Sequence, residues 1–347
     1  MFRREERHEL RYQISIAVAE VLSWVFWVVP RPLRYWLADR VGDIFRRSTN
    51  TYRDNVEANV SQVLGVDRES PEVARHVRSI FRISSRNFAD VITAPRVMRD
   101  ELLRSVTVTS GSWSMIDDAI ALGNGVIIVS AHLGCFDYVA QGLWARGYKL
   151  TIVTGRTTSR FIFDGVTHLR GAKGSAMVEP TPSGVRQVIR ALRNGECAVF
   201  VADRDFFQNG RPVTFFGRQT SLPPGPIRIA RDVGAVVLPV LPRRIGFRHE
   251  IEIGEPFKVP KTSDIEADMD VGFAHLMPVL EGAIRERVDQ WVMFQRVWPD
   301  TPIPPVRVFP IGSPLESELL EKVAQVLPDR PLVERLTRSG ERTDGTE

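Results

Sequence analysis

The stretch Gly125-Val126-Ile127-Ile128-Val129-Ser130-Ala131-His132-Leu133-Gly134-Cys135-Phe136-Asp137 decides how this chain is read. A short β-branched run that stops in a turn of small residues is the pattern of a buried strand. Open α/β sheets carry their chemistry beyond the carboxyl ends of such strands, and here that position delivers His132 and Asp137. An imidazole takes a hydroxyl proton near neutral pH, while a carboxylate on its second nitrogen fixes the tautomer and stabilises the imidazolium. Residues five apart on one continuous helix differ by roughly 140°, so the expected contact needs His132 in the strand-to-helix turn and Asp137 in the first helical turn. Gly134 supplies the backbone freedom for that bend. His-x4-Asp alone fits a satisfied structural histidine equally well, and its weight comes from its surroundings.

Further strands are expected at 106–109, 150–154, 198–202, 236–241 and 250–253, with helical patterns such as 183–194 alternating with most of them. That alternation predicts the α/β class: a mixed central sheet flanked by helices. From 34 to about 99 the pattern is helical, with Val73, Val77, Ile80 and Phe81 at three-four spacing. Arg78, Arg82 and Arg86 lie on a neighbouring face, read first as a solvated stripe and second as a site for lipid phosphate. Residues 220–226 read as a rigid turn ahead of a helical stretch at 227–232.

The stretch 14–29 is apolar apart from Glu20, Ser15 and Ser23, and carries Trp24, Phe26 and Trp27. A helix of that length spans roughly 24 Å against a hydrocarbon core of roughly 30 Å, which favours a shallow or tilted anchor over a clean span. A core helix is the alternative. Pro30 and Pro32 end the stretch, and arginines flank it on both sides. Three regions follow: an N-terminal membrane-anchor region at 1–33, the α/β domain at 34–298, and a Pro-rich linker, short helix and polar tail at 299–347.

Hydrophobic residues make up 43% of the 347, enough for a large core. Two cysteines, Cys135 and Cys197, give no disulfide framework and suit a reducing compartment. A formal charge of +4, dominated by arginine, favours anionic partners such as phosphate groups or an acidic membrane surface. Nucleic acid is disfavoured because the cations are scattered through periodic segments and no recognised nucleic-acid module appears. The dispersed histidines give no recognisable metal site, so no metal or resident cofactor is expected.

Several blocks in order resemble a family: 130–137, Gly155-Arg156, Val201-Ala202-Asp203-Arg204-Asp205, Pro212-Val213-Thr214-Phe215-Phe216-Gly217 and 230–239. The arrangement is similar to that of bacterial lipid acyltransferases over roughly residues 14 to 298. This group contains the lipid A lauroyl and myristoyl transferases and the phosphatidylinositol mannoside acyltransferases, within the glycerolipid acyltransferase superfamily. Lipid A transferases usually carry glutamine in the middle of the Asp-Arg-Asp block, so Arg204 resembles the phosphatidylinositol mannoside branch.

The resemblance implies an O-acyltransferase at the cytoplasmic face of the inner membrane. It would move a fatty acyl chain from acyl-CoA or acyl carrier protein to a hydroxyl of a glycolipid or phospholipid, with His132 as general base and Asp137 orienting it. Arg156 and Arg160 follow a strand end and are candidate phosphate clamps for the acceptor, while Asp203 and Arg204 are candidates for acceptor binding or site architecture. Oxyanion donors are sought among backbone amides near Gly134. A thiol nucleophile at Cys135, a thioester or lipid hydrolase, and a catalytically silent membrane-binding protein are the competing readings.

Overall fold

The computed structural model describes residues 4–155, 159–205 and 210–298, with side chains from Glu9 onward. Ten strands occur among them: β1 (Val106–Ser110), β2 (Val126–Ser130), β3 (Leu150–Val153), β4 (Ala176–Val178), β5 (Cys197–Val201), β6 (Arg211–Phe215), β7 (Arg218–Leu222), β8 (Val236–Ile245), β9 (Arg248–Ile253) and β10 (Phe257–Lys258). The helices are α1 (Arg4–Val28), α2 (Arg31–Ser48), α3 (Asn50–Leu64), α4 (Pro71–Thr93), α5 (Arg99–Ser105), α6 (Ser114–Ala121), α7 (Phe136–Ala145), α8 (Arg160–Gly171), α9 (Pro182–Arg193), α10 (Gly225–Val233) and α11 (Ile265–Glu286). The main sheet runs β1-β9-β8-β2-β5-β3-β4, with β10 on the side of β8. Only the β8 pairings with β9 and β10 are antiparallel, so the sheet is mostly parallel and the expected α/β class holds.

Period-two alternation divides the central strands between two cores. In β2, Ile127 and Val129 face one apolar cluster with α3, α4, α9, α10 and α11, while Val126 and Ile128 face a second with α5, α6 and α7. In β5, Ala198 and Phe200 join the first cluster, Cys197 and Val199 the second. A parallel sheet covered on both faces needs such continuous apolar strands. Each fully buried aliphatic side chain contributes about 1.5–3 kcal/mol relative to exposure.

Four short strands lay outside the sequence expectation. β4 extends the sheet edge, β10 adds two residues beside β8, and β6–β7 form a separate hairpin. Residues 220–222 close that hairpin as part of β7 before α10 begins, where a turn alone was expected.

α2 and α4 pack very closely because Gly42 lies against the α4 backbone, where an added Cβ would come within 2.7 Å of the Phe81 carbonyl oxygen. Across this contact Asp43 takes Arg82 at 2.6 Å and Arg78 at 3.4 Å, and Asp39 takes Arg86 at 2.6 Å. The arginine stripe is thus engaged by the carboxylates of the neighbouring helix. This corrects both the solvated-stripe and the phosphate-site expectations, because acids on α2 face each of these guanidiniums.

α1 packs on α8 and α4 with its small and polar residues. Ser15, Ala19 and Ser23 are buried, Ser15 donates to the Phe161 carbonyl at 2.5 Å, and Glu20 pairs with His168 at 2.9 Å and with Arg96. Ile14, Val18, Val21, Leu22, Trp24, Val25 and Val28 point outward, and on α2 so do Leu33, Trp36, Leu37, Val41 and Ile44. No helix among the described residues is long and apolar enough to cross a membrane.

Candidate active site

β2 and β5 are adjacent, parallel and in register, with Ser130 opposite Val201. Each strand is followed by an alanine and then by a polar residue, His132 or Asp203. The Ala202 amide donates to the Ser130 carbonyl at 2.9 Å, carrying the pairing one step past the strand end. Equal offsets on neighbouring strands therefore place His132 beside Asp203. The imidazole Nδ1 lies 2.7 Å from Asp203 Oδ1, and the His132 backbone amide donates to Asp203 Oδ2 at 2.8 Å. The Trp291 indole donates to the same Oδ2, also at 2.8 Å.

Asp203 is fully buried. Burial by itself would raise its carboxyl pKa, but His132, through charge and hydrogen bonds, and the Trp291 indole hold it below its ordinary value. The His132 side chain keeps 21% exposure and lines a cavity. With Nδ1 held by a carboxylate, Nε2 is left as the basic nitrogen.

The expectation that Asp137 orients His132 is corrected. Asp137 stands in the first turn of α7, where its oxygens meet Arg170 of α8, Oδ1 at 2.8 Å from Nε and Oδ2 at 2.8 Å from Nη2. Arg170 thus holds this carboxylate by one charge-assisted hydrogen bond, from Nη2, and an ion-pair contact at Nε. The Asp203 carboxylate occupies the Nδ1 side of His132, so Asp137 borders the same cavity without serving that nitrogen. Asp203 is equally corrected as a direct acceptor ligand, because no part of it reaches the surface.

Arg204 does line the cavity, and its Nε donates to Gln295. Burial lowers the Arg204 pKa, against which Asp203 pulls upward. Arg160 stands apart, at the start of α8, with its Nε 2.9 Å from Asp164 and Nη1 3.7 Å from Glu179. Two carboxylates thus hold Arg160, which corrects its expected role as a free clamp beside His132. Arg156 lies outside the described residues.

The turn carrying His132 is tied on both sides. The His132 carbonyl accepts from the Val292 amide at 2.8 Å, and the Gly134 amide donates to the Gln290 carbonyl at 3.2 Å. Gly134 has φ +50°, which favours glycine, and an added Cβ would come within 3.2 Å of the Arg243 and Arg244 backbone. Because the Gly134 amide is so engaged, and the Leu133 amide donates to Ala131 at 2.7 Å, the expected oxyanion donors are not at these two residues.

Cys135 is 1% exposed, and burial pushes its thiol up to about 12. A thiol so protonated and enclosed is no nucleophile, which removes that reading. Among the described residues no group of three or more His, Cys, Asp and Glu side chains is placed to hold a metal ion.

The cavity has a volume of about 510 Å³. His132, Asp137, Arg170 and Arg204 mark its polar part, and Ile128, Leu143, Ile152, Met177 and Val199 its apolar part, between α7 and the sheet. Arg170 and Trp291 were missed by the sequence reading, and Asp203 was noticed for acceptor binding or site architecture but not as the partner of His132. The usable signal for Asp203 was its offset from a strand end, identical to that of His132. Arg170 and Trp291 carry no local signature, since helix packing and the return of the chain at 290–298 bring them in.

A family model described as bacterial lipid A biosynthesis acyltransferase matches residues 1–299. A phosphatidylinositol mannoside acyltransferase of Mycobacterium tuberculosis is 26% identical over 193 residues, covering 54% of this chain and 60% of the relative. One of the same name from Mycolicibacterium smegmatis is 26% identical over 132 residues, covering 37% of this chain and 42% of the relative. The match with the first relative thus falls short of two thirds of its length.

Proposed function

The chain belongs to the bacterial lipid A biosynthesis acyltransferase family, and we propose that it transfers a fatty acyl group from an acyl thioester to a hydroxyl of a membrane glycolipid. The observation that carries this reading is the buried Asp203 on Nδ1 of a partly exposed His132, which lines a cavity with a largely apolar wall. His132 Nε2 takes the proton of the acceptor hydroxyl, and the oxygen attacks the thioester carbonyl. The tetrahedral adduct expels the thiolate, which recovers the proton from the imidazolium. No covalent enzyme intermediate is formed. Asp203 stays ionised throughout and stabilises the imidazolium, a role its lowered pKa supports.

Acyl carrier protein or coenzyme A supplies the thioester, and the apolar end of the cavity receives the acyl chain. The acceptor belongs to the phosphatidylinositol mannoside class rather than to lipid A, in line with the names of the relatives and with Arg204 in the Asp-Arg-Asp block. Arg204 and Arg156 are its ligands, and Arg170 with Asp137 borders the reacting atoms. The outward apolar faces of α1 and α2 rest in the headgroup region of the inner membrane, on its cytoplasmic side.

His132→Ala is expected to lower transfer by roughly 10²- to 10⁴-fold with the fold retained, measured with radiolabelled thioester and acceptor in mixed micelles. Near-wild-type turnover in this variant would remove the base from the mechanism. Thioester consumed equally fast without acceptor would make the protein a hydrolase.

A further inference from the structure

We propose that Asn87 is a positioning residue, a buried amide on α4 that holds the catalytic turn against a charged cluster beneath α2. The proposal rests on the role given above to His132 and asks what keeps His132 in place. Asn87 is nearly buried, at 9% exposure, and its Nδ2 donates to the carbonyl of Gly134, two residues after His132. Its Oδ1 accepts from Arg244 Nη2 at 2.6 Å. Both ends of the amide are therefore used, and each on a different element.

Arg244 is itself over-determined. Nη2 also donates to Asp90 Oδ2 at 2.7 Å, and Nη1 donates to the Tyr35 hydroxyl at 2.6 Å. The Tyr35 hydroxyl lies 2.7 and 2.8 Å from the two Asp90 oxygens. The backbone of Arg244 is held from the other side, its amide donating to Gln290 Oε1 at 2.8 Å and its carbonyl accepting from Gln290 Nε2 at 3.1 Å. Gln290 in turn offers its own carbonyl to the Gly134 amide.

The peptide groups flanking Gly134 are thus gripped on opposite sides. One grip comes from 290–292 and the other from Asn87, and Arg244 connects the two. All of these groups lie away from the cavity, so none touches substrate. Their effect reaches the chemistry only through where the turn holds His132 against Asp203. Displacement of a reacting group by about 1 Å costs on the order of 100-fold in rate, which sets the scale for losing one grip.

The test compares Asn87→Leu, which removes both hydrogen bonds at similar volume, with Thr93→Val on the same helix. Thr93 is more deeply buried, at 1% exposure, but among the described residues its hydroxyl bonds only to the Ala89 and Asp90 carbonyls of its own helix. Asn87→Leu is expected to lower kcat about 10- to 100-fold with KM for thioester and acceptor unchanged, whereas Thr93→Val keeps kcat. A low-field proton NMR signal from the His132 Nδ1–H bonded to Asp203, identified by its loss in His132→Ala, is expected to broaden or move upfield in Asn87→Leu alone.

Unchanged kcat and an unchanged Nδ1–H signal in Asn87→Leu would overturn the proposal. So would a kcat loss matched by Thr93→Val at equal thermal destabilisation. If Asn87→Leu fails to fold, Tyr35→Phe, which releases one bond of Arg244, is read in the same way for a smaller kcat loss, and no loss overturns the proposal. Retained turnover in His132→Ala would instead strike at the proposed chemistry, so the two failures are distinct.

Discussion

The central strands and the first two helices place their large apolar side chains on opposite sides. In β2 all five residues are buried and the four aliphatic ones are divided between two internal cores, so their hydrophobicity is satisfied inside the chain. In α1 the fully buried residues are the small Ser15, Ala19 and Ser23; of the large apolar ones Trp27 packs against the core, while Ile14, Val18, Val21, Leu22, Trp24, Val25 and Val28 face out, as do Leu33, Trp36, Leu37, Val41 and Ile44 on α2. Large contiguous apolar surface of that kind marks a contact with something other than water. Apolar character alone therefore does not tell a core segment from an interfacial one; the position of the small residues does.

The sharpest way to break the comparison is truncation in the strand. Ile127→Ala, at a position with no exposure, is expected to lose about 2–5 kcal/mol in denaturant unfolding, while Val25→Ala on the outer face of α1 stays within about 0.5 kcal/mol. Equal losses would mean that the α1 face is covered by protein.

A smaller effect is expected on the faces of the two helices proposed to meet lipid. Val21→Asp combined with Leu37→Asp is expected to weaken binding to anionic vesicles by at least about tenfold in a flotation assay, because each buried aliphatic side chain contributes roughly 1.5–3 kcal/mol. Thermal stability in solution is expected to stay as it is. Undiminished flotation would move the contact elsewhere on the molecule.

The smallest effect concerns the side of β9 that faces α7. His249 has no exposure, stacks on Tyr138 at 4.3 Å and, among the described residues, has no hydrogen bond at either ring nitrogen. Burial, then Arg244 and Arg31, hold its pKa well below the usual histidine value. Below pH about 6.5 the unfolded chain gains a proton there that the folded chain refuses, so stability falls as the pH drops, by at most about 1.4 kcal/mol per pH unit. His249→Phe keeps the stack and is expected to flatten the melting-temperature profile between pH 7 and 5 without loss at pH 7. An unchanged slope would place the acid sensitivity in other groups.

How much the sequence disclosed follows the range of the interactions. β2, β5 and β8 were legible because β-branched runs between turns are a local pattern, and His132 was legible because it ends one. The pairing of His132 was not, since Asp137 and Asp203 are both near it and the choice depends on strand order. Once β5 lies beside β2, Asp203 is the nearer carboxylate, and Asp137 turns to Arg170 across the α7–α8 contact. β4, β6, β7 and β10 are short or carry mixed polarity, so period-two alternation was weak in them. The arginines of α4 read as a stripe because their acidic partners sit on another helix, at Asp39 and Asp43.

The chain makes its active site in an order that its synthesis dictates. His132 leaves the ribosome long before Gln290, Trp291 and Val292, and domains form as their segments emerge. Until 290–292 dock, Asp203 lacks the indole donor, and the His132 carbonyl and Gly134 amide lack their partners. A nascent chain can build β2 and β5 and still hold His132 loosely. Competence is thereby tied to near-completion of translation of this region, and a truncated product that keeps the whole sheet is left without a finished site.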